Sequence, residues 1–360
     1  MDQVLADLAE LVGPGPRYPG DLPPEVARLL SASRLTALCL PERLGGDGRG
    51  LIDLVDAIER VATVDASTAW VLFITATAPW LLAHADPAAV AEVYADPGTR
   101  IAGALAPTGT AAQRDGGYLV TGRWAFGSGV GSCDWVAVHV RLAGGDGSAF
   151  ALVPAAAVAY QEPWDGFGLR STGSGAFGIE DEFVPAYRMV FQLDGSRWPE
   201  PLFRLPFRTT FAAAAAVLLG VASRALTEFM MLATTKKPTF GRARLADQAR
   251  VQALVAETSG ALWAARAVLR ESVGLLTEHG PDDLLRARSR IAINQVRATC
   301  VEVVGRLHAA AGSAAVGDTS VFVRALRDVH TAAQHYLFSD EINELAGVVL
   351  LGGEFDEVRL

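Results

Sequence analysis

The spacing of apolar residues divides the chain into three regions of different predicted structure. From about residue 23 to 97, apolar residues recur at helical spacing, as in LIDLVDAIERVATV. From about 101 to 193, the apolar runs are short, β-rich and separated by glycine and aspartate turns. After Pro201 long helical patterns return. We therefore predict an N-terminal helical domain at 1–97, a β domain at 98–197 and a C-terminal helical bundle at 198–360.

The third region contains both the longest amphipathic pattern and the longest apolar run. Within 251–276 one apolar stripe at helical spacing predicts a bundle helix; its members are Val251, Leu254, Val255, Leu262, Leu269, Val273 and Leu276. The run FAAAAAVLLGVA at 211–222 is shorter than the roughly 20 residues that span a bilayer. The pattern therefore predicts a buried helix and no membrane span.

Composition and charge narrow the class of protein and its partners. The chain has 360 residues, of which 51% are hydrophobic and 20% charged, as expected of a globular protein with a sizeable core. Its net charge of −9 disfavours binding to nucleic acid. Three widely spaced cysteines and an acidic N-terminal segment predict a cytoplasmic protein. Histidines and cysteines lack ligand spacing, so no metal site is predicted.

The segment VTGRWAFGSGVGSCDW at 120–135 places four glycines among three large aromatic residues. One interpretation is that the glycines form bulges in a β sandwich and the aromatic residues form its core. The other is a site for a flat ligand, because aromatic faces pack on such a ring and glycine lets the backbone approach its edge. Spacing alone favours the packing interpretation.

Four motifs in a fixed order resemble those of acyl-CoA dehydrogenases. They are PERLGG at 41–46, GRWAFGSG at 122–129, GLRSTGSGAFGIEDEFVP at 168–185 and AAGSAAVGDTSVFVRALRD at 310–328. The resemblance covers roughly residues 25–350 and implies a mainly α fold with a central β domain. It implies an N-terminal helical domain, a β-sandwich or barrel in the middle and a C-terminal four-helix bundle. It also changes the preferred interpretation of 120–135 to a flavin site.

The position of the catalytic base separates two activities within this fold. Many acyl-CoA dehydrogenases have a glutamate about eight residues after the RD pair, where this chain has His335 and Tyr336. Glu257, Glu341 and Glu344 are carboxylates elsewhere in the last region. The segments GRWAFGSG, DASTAW and RDVHTAAQH instead resemble flavin-dependent monooxygenases of the same fold. An acyl-CoA dehydrogenase or oxidase and a non-catalytic flavin-binding or scaffold homologue are the alternatives.

The resemblance implies the oxygenase component of a two-component flavin-dependent monooxygenase. Such a component takes reduced FMN or FAD from a separate NAD(P)H:flavin reductase and reacts it with O2 through a C4a-hydroperoxyflavin. It then hydroxylates or oxygenates a hydrophobic, aromatic small molecule, and its relatives form homotetramers. Lys237 stands where acyl-CoA dehydrogenases place an arginine for the FAD pyrophosphate. Because lysine lacks the planar fork of arginine, FMN becomes a plausible cofactor.

The resemblance also assigns residues, and it names no base that activates the substrate. Ser128, near flavin N5, and His335, on a late helix, are the expected catalytic residues. The expected cofactor-binding residues are Leu105, Gly109, Trp124, Phe126, Gly127, Ser128, Phe240 and His330. For His335 and His330 the alternative is a structural histidine, and for Trp124 and Phe126 it is packing in the core.

Overall fold

The computed structural model describes residues 1–13, 20–193, 195–237 and 243–354. Within these ranges five helices precede the sheet: α1 (Asp2–Val12), α2 (Pro24–Ala32), α3 (Leu51–Ala62), α4 (Ala66–Leu82) and α5 (Pro87–Val93). Helix α4 is apolar on all sides, and nearly all of its side chains are buried. A helix of this kind lies inside a protein rather than on its surface.

Seven strands follow and form one mixed sheet in the described part of the chain. They are β1 (Ile101–Arg114), β2 (Gly117–Trp124), β3 (Trp135–Leu142), β4 (Ser148–Pro154), β5 (Ala159–Glu162), β6 (Ala176–Pro185) and β7 (Met189–Val190). Their order is β5-β6-β2-β1-β3-β4-β7. The β1–β3 pair is parallel and the other pairs are antiparallel.

The sheet is strongly curled and encloses its own core. The indole Nε1 of Trp124 in β2 donates a hydrogen bond of 3.0 Å to the carbonyl of His139 in β3. Because β1 lies between these two strands in the sheet, only curling brings the side chain and the carbonyl together. The predicted sandwich or barrel is thus a single curled sheet.

In the described residues after the sheet, five helices complete the fold: α6 (Phe211–Thr235), α7 (Ala249–His279), α8 (Asp283–Ala311), α9 (Val321–Ala333) and α10 (Glu341–Leu350). Every residue of the 211–222 run is buried in α6. Among the described residues, the helical stretch Phe207–Thr235 is long and apolar enough to cross a membrane, but its most apolar window is 89% buried. It is therefore a core helix, longer than the 12-residue run suggested.

The helices before and after the sheet share one hydrophobic core, whereas the sheet has a separate one. Ion pairs between Arg266 and Glu59 and between Arg270 and Asp56 also join α7 to α3. The mainly α fold with a central β domain is therefore confirmed. The boundaries at 97 and 197 stay predictions, because the first and last regions are one helical body around α6.

Candidate functional site

The start of α4 brings an indole against the glycine-rich loop after β2. Asp65 caps the helix, and its Oδ2 accepts from the backbone N–H (2.9 Å) and the hydroxyl (2.8 Å) of Thr68. One turn further on, Trp70 donates from Nε1 to Ser128 Oγ at 3.2 Å. Both side chains are buried. The contact joins the N-terminal helices to the β domain at the residue that the sequence assigned to flavin N5.

Ser128 begins a chain of hydrogen-bonded hydroxyl groups, and the donor of each hydrogen bond in it can be identified. Thr172 Oγ1 donates to the carbonyl of Leu169 at 2.9 Å. A hydroxyl has one proton, so Ser174 Oγ, 2.6 Å from Thr172 Oγ1, is the donor to Thr172. Ser128 Oγ, 2.6 Å from Ser174 Oγ, is in turn the donor to Ser174. Ser128 Oγ accepts from Trp70, donates to Ser174 and keeps one lone pair for a ligand.

The loop that carries Thr172 and Ser174 is fixed to α9. Asp328 Oδ1 accepts from the backbone N–H of Leu169 at 2.7 Å, and Thr331 Oγ1 accepts from that of Gly168 at 2.7 Å. A β carbon at Gly168 would lie 2.1 Å from the carbonyl oxygen of Arg327, so only glycine allows this approach. Leu169 has a positive φ of 51°. These contacts hold the end of α9 against the β domain.

His335 follows α9 and packs against Trp70. The two ring centroids are 5.4 Å apart in an edge-on arrangement. The ring Nδ1 accepts from the backbone N–H of Leu337 at 3.3 Å and caps the next turn. Burial lowers the pKa of His335 to about 4, so the ring is neutral near pH 7. Because Nδ1 accepts, the single ring proton lies on Nε2.

Ser128, Trp70 and His335 form a group that we call the Trp70 cluster. Ser128, which accepts from the indole N–H, offers an acceptor lone pair. The ring of His335 packs against the same indole, and its Nε2–H is a donor with no hydrogen-bond partner among the described residues. The cluster therefore suits a flat ligand that has an N–H group near an oxygen acceptor, as reduced flavin does.

Three assigned residues lie at the open side of the glycine-rich loop or on β1. Phe126 has a positive φ of 60° and is 69% exposed, and its ring centroid lies 6.4 Å from that of Trp164. The N–H of Gly127 donates to the carbonyl of Gly175 at 3.1 Å. Leu105 is exposed, and its carbonyl accepts from His139 Nδ1 at 2.8 Å. The exposed faces of Phe126 and Leu105 are available to a ligand.

Trp124 and Gly109 are buried within the β domain, although the sequence assigned them to the flavin site. Trp124 is 1% exposed and stacks on Phe177 with ring centroids 5.7 Å apart. A β carbon at Gly109 would lie 2.2 Å from the Trp124 ring, and one at Gly122 would lie 2.7 Å from it. The glycines therefore make room for a core tryptophan. For these two assigned residues, the packing interpretation accounts for the structure and a ligand-facing wall does not.

The remaining candidates have the following positions. His330 is half-buried on α9, five residues before His335. Phe240 lies outside the described residues. Glu257 is exposed and paired with Arg306, and Glu341 and Glu344 are exposed on α10. An exposed carboxylate is a poor candidate for a base that acts in a site closed to water. The flavin roles of His330 and Phe240 stay predictions.

Sequence reasoning did not assign several residues of the site. Trp70 was quoted only as the end of DASTAW, and Asp328 only as part of the RD pair. Ser174 and Thr172 stood in GLRSTGSG without a role. Runs of serine, threonine and glycine are typical of loops, so their composition indicates a turn and not a hydroxyl chain. The signal that was available is that four of the quoted segments, DASTAW, GRWAFGSG, GLRSTGSG and RDVHTAAQH, each contribute a residue to this site.

The comparisons with known proteins bear on the fold and on the kind of protein that the chain resembles. The family "Acyl-CoA dehydrogenase, C-terminal domain" matches residues 212–340. The FADH(2)-dependent resorcinol hydroxylase oxygenase component of Rhizobium sp. is 28% identical over 92% of this chain and 90% of its own length. The indole-3-acetate monooxygenase of Pseudomonas putida is 28% identical over 87% of this chain and 83% of its own length.

A solved structure gives the same result. XiaF from Streptomyces sp., solved in complex with FADH2 and glycerol, is 26% identical and has a TM-score of 0.88, covering 93% of this chain and 89% of that one. The chain therefore has the acyl-CoA dehydrogenase fold. The chain is also similar to proteins named as a monooxygenase and as the oxygenase component of an FADH(2)-dependent hydroxylase.

Proposed function

We propose that this chain is the oxygenase component of a two-component flavin-dependent monooxygenase acting on a hydrophobic aromatic small molecule. The observation that carries the proposal is the Trp70 cluster, in which a buried serine acceptor and a neutral histidine donor contact the same indole. The two relatives described above are named as a monooxygenase and a hydroxylase. The bound group would be reduced FAD or FMN, which supplies two electrons so that one atom of O2 enters the substrate and the other leaves as water.

The residues of the chain have separate parts in this activity. Ser128 Oγ, fixed in orientation by Trp70 and Ser174, would accept the hydrogen bond of the flavin N5–H. The neutral His335 would donate from Nε2 to oxygen without carrying a buried charge. Burial around Trp70 excludes water from the same place. Phe126 and Leu105 would cover the ring at its open side.

The proposal includes a separate reductase, because the chain is similar to proteins named as oxygenase components or as dependent on FADH2. An aromatic substrate is supported by resorcinol and indole-3-acetate in the names of two relatives. A cytoplasmic location is supported by the free cysteines Cys39, Cys133 and Cys300. The relative named FADH(2)-dependent favours FAD as the cofactor. Lys237, which stands where acyl-CoA dehydrogenases have an arginine for the FAD pyrophosphate, favours FMN.

We also propose a homotetramer, with a dimer as the minimum. Trp263 on α7 is 68% exposed and Met231 on α6 is 60% exposed, which is costly for large apolar side chains in a monomer. Phe126, at the open side of the Trp70 cluster, is also exposed in one copy. Sedimentation velocity at micromolar concentration tests the assembly, and a monomer there would contradict it.

The activity is tested with the protein, a flavin reductase, NADH and a panel of phenols and indoles under 18O2. We expect one 18O atom in the product, together with tighter binding of reduced than of oxidised flavin. An acyl-CoA dehydrogenase or oxidase would instead purify with oxidised FAD that acyl-CoA bleaches. Bleaching by acyl-CoA without incorporation of 18O into any aromatic compound would overturn the proposal.

A further inference from the structure

The sheet has a wide bulge in β1, directly opposite His139 in β3. The two strands pair up to Ala104 of β1 and again from Gly109, so residues 105–108 lie opposite the single residue His139. We call this four-residue segment the β1 bulge. An ordinary bulge sets two residues against one, and bulges are frequent beside active sites, where they redirect a side chain.

The side chain of His139 replaces a backbone partner that the β1 bulge loses. Its ring Nδ1 lies 2.8 Å from the carbonyl oxygen of Leu105, which can only accept, so Nδ1 is the donor. In the neutral ring Nε2 is then an acceptor, and the hydroxyl of Ser148, 2.9 Å away, donates to it. At the other end of the bulge, Thr108 Oγ1 donates to the carbonyl of Arg123 at 2.7 Å. Side-chain hydrogen bonds therefore hold both ends of the bulge.

His139 is itself held firmly in the sheet. Its imidazole stacks on the buried ring of Phe150, with centroids 4.4 Å apart and 10° between the planes. Its backbone carbonyl accepts from the indole of Trp124 at 3.0 Å. One ring face, both ring nitrogens and the carbonyl of this residue all have partners. A side chain fixed in this way also fixes the group that it binds, which here is the carbonyl of Leu105.

The β1 bulge carries apolar residues close to the loop that holds Ser128. A β carbon at Gly129, next to Ser128, would lie 3.8 Å from that of Ala102, three residues before Leu105. Leu105 is 40% exposed, and Ala106 after it is exposed as well. An apolar surface near the free lone pair of Ser128 suits the face of a flat, polarisable ring.

We propose that His139 is a positioning residue of the flavin site. Through the Leu105 carbonyl, it holds the β1 bulge in the shape that packs on the bound ring. The inference rests on the proposed function, because it needs a flavin beside the Trp70 cluster. His139 touches no reacting atom, and it acts through one ring nitrogen, Nδ1. Its role can therefore be separated from its packing on Phe150.

Three substitutions separate the two ring nitrogens. In His139→Asn the amide nitrogen takes the place of Nδ1 and can still donate to Leu105, whereas the longer side chain of His139→Gln reaches toward Ser148. His139→Ala has no donor, and all three variants lose the stacking on Phe150. Anaerobic titration should show reduced-flavin affinity about fivefold or more weaker in His139→Gln and His139→Ala. In His139→Asn the change should be less than about twofold.

A second measurement needs no flavin. Hydrogen–deuterium exchange of the flavin-free protein, followed by mass spectrometry, reports on the amides of residues 101–110. Exchange there should be faster in His139→Gln and His139→Ala than in the wild type and His139→Asn. His84 provides the matched control, because its Nδ1 lies 2.9 Å from the carbonyl of Trp80 on α4 rather than on the sheet. His84→Gln should change neither the flavin affinity nor the exchange at 101–110.

Two results would overturn the proposal. Equal flavin affinity in His139→Asn and His139→Gln would show that only the stacking on Phe150 matters. Faster exchange at 101–110 without a change in affinity would place the β1 bulge outside the flavin site. If His139→Ala does not fold, the comparison of His139→Asn with His139→Gln decides. A wild type that binds no reduced flavin would instead contradict the proposed function, and the exchange pattern would still show whether His139 holds the bulge.

Discussion

The indole N–H of Trp70 donates to Ser128 Oγ over 3.2 Å and so fixes the direction in which the serine hydroxyl points. Because Ser128 in turn donates to Ser174, its remaining lone pair is the only hydrogen-bonding capacity left for a ligand. Trp70 also contacts His335 through its ring. Trp70 has no assigned contact with the flavin, yet it contacts both Ser128 and His335, the two residues that are assigned to the reaction.

The first prediction concerns the N–H of Trp70. Trp70→Phe keeps an aromatic ring beside His335 and removes the donor, so stability should fall by about 1 kcal/mol for the lost hydrogen bond plus a packing cost. The affinity for reduced flavin should fall several-fold because the Ser128 hydroxyl is free to turn. Fluorescence titration under anaerobic conditions measures the affinity.

Trp80→Phe is the matched control for this prediction. Trp80 lies on the same helix and is 1% exposed, but its Nε1 has no hydrogen-bond partner in the described residues. The control should lose comparable packing and leave flavin affinity unchanged. If the two variants bind reduced flavin equally well, Trp70 does not orient Ser128.

The second prediction concerns the pH dependence of stability. Burial holds the pKa of His335 near 4, whereas an unfolded histidine titrates near 6.5. As pH falls from about 6.5 to 4, the unfolded chain takes up a proton that the folded chain does not, so stability is lost on acidification. The loss from this one group reaches up to about 2 kcal/mol at pH 5.

Urea unfolding of the wild type and His335→Asn at pH 7.5 and pH 5 measures this contribution. Asparagine can still cap the turn at Leu337 but does not titrate, so the variant should lose less stability between the two pH values. His279→Asn, an exposed histidine at the end of α7, should behave as the wild type does. An identical pH dependence in the wild type and His335→Asn would contradict the lowered pKa of the His335 ring.

The third prediction concerns the oxygen chemistry of His335. His335→Ala removes the Nε2–H donor and should divert most O2 to free H2O2, because the stabilisation lost is on the order of 2–4 kcal/mol. Since the ring stays neutral at all working pH values, coupling in the wild type should show no titration near pH 6.5. Product and peroxide are measured together at several pH values. Wild-type coupling in the variant would make His335 structural.

The sequence predicted the helical and β regions because periodicity is a local property. It also predicted that Ser128 and His335 share a site, through motifs whose order resembled a known fold. It could not tell which aromatic residues of 120–135 face a ligand. Trp124 and Phe126 are two residues apart, yet Trp124 is buried and Phe126 is exposed. A positive φ at Phe126 breaks the alternation that would place both on one face.

The hydroxyl chain was beyond sequence reasoning for another reason. Ser128 and Ser174 are 46 residues apart. The role of each hydroxyl depends on its burial and on the partner that it finds in the fold, and neither follows from spacing along the chain.

The fourth prediction concerns the attachment of the 168–174 loop. Asp328→Ala removes the acceptor for the N–H of Leu169 and should cost about 1–3 kcal/mol of stability, since a buried N–H is left unsatisfied. Asp328→Asn keeps an oxygen acceptor and should restore part of the loss. Reduced-flavin affinity should follow the same order. Equal stability of the alanine variant and the wild type would show that Asp328 does not hold the loop.

The last prediction tests Ser128. Ser128→Ala removes the acceptor proposed for flavin N5–H and keeps the backbone of the loop, at a cost of about 0.5–1.5 kcal/mol. The affinity for reduced flavin should therefore weaken by roughly tenfold or less, and a larger share of O2 should appear as H2O2. Ser132→Ala is the control, because Ser132 Oγ donates to the carbonyl of Gly129 on the same loop. If both variants lose stability alike and neither changes flavin affinity or coupling, the hydroxyl chain through Ser128 only braces the loop, and the flavin N5 contact must lie elsewhere.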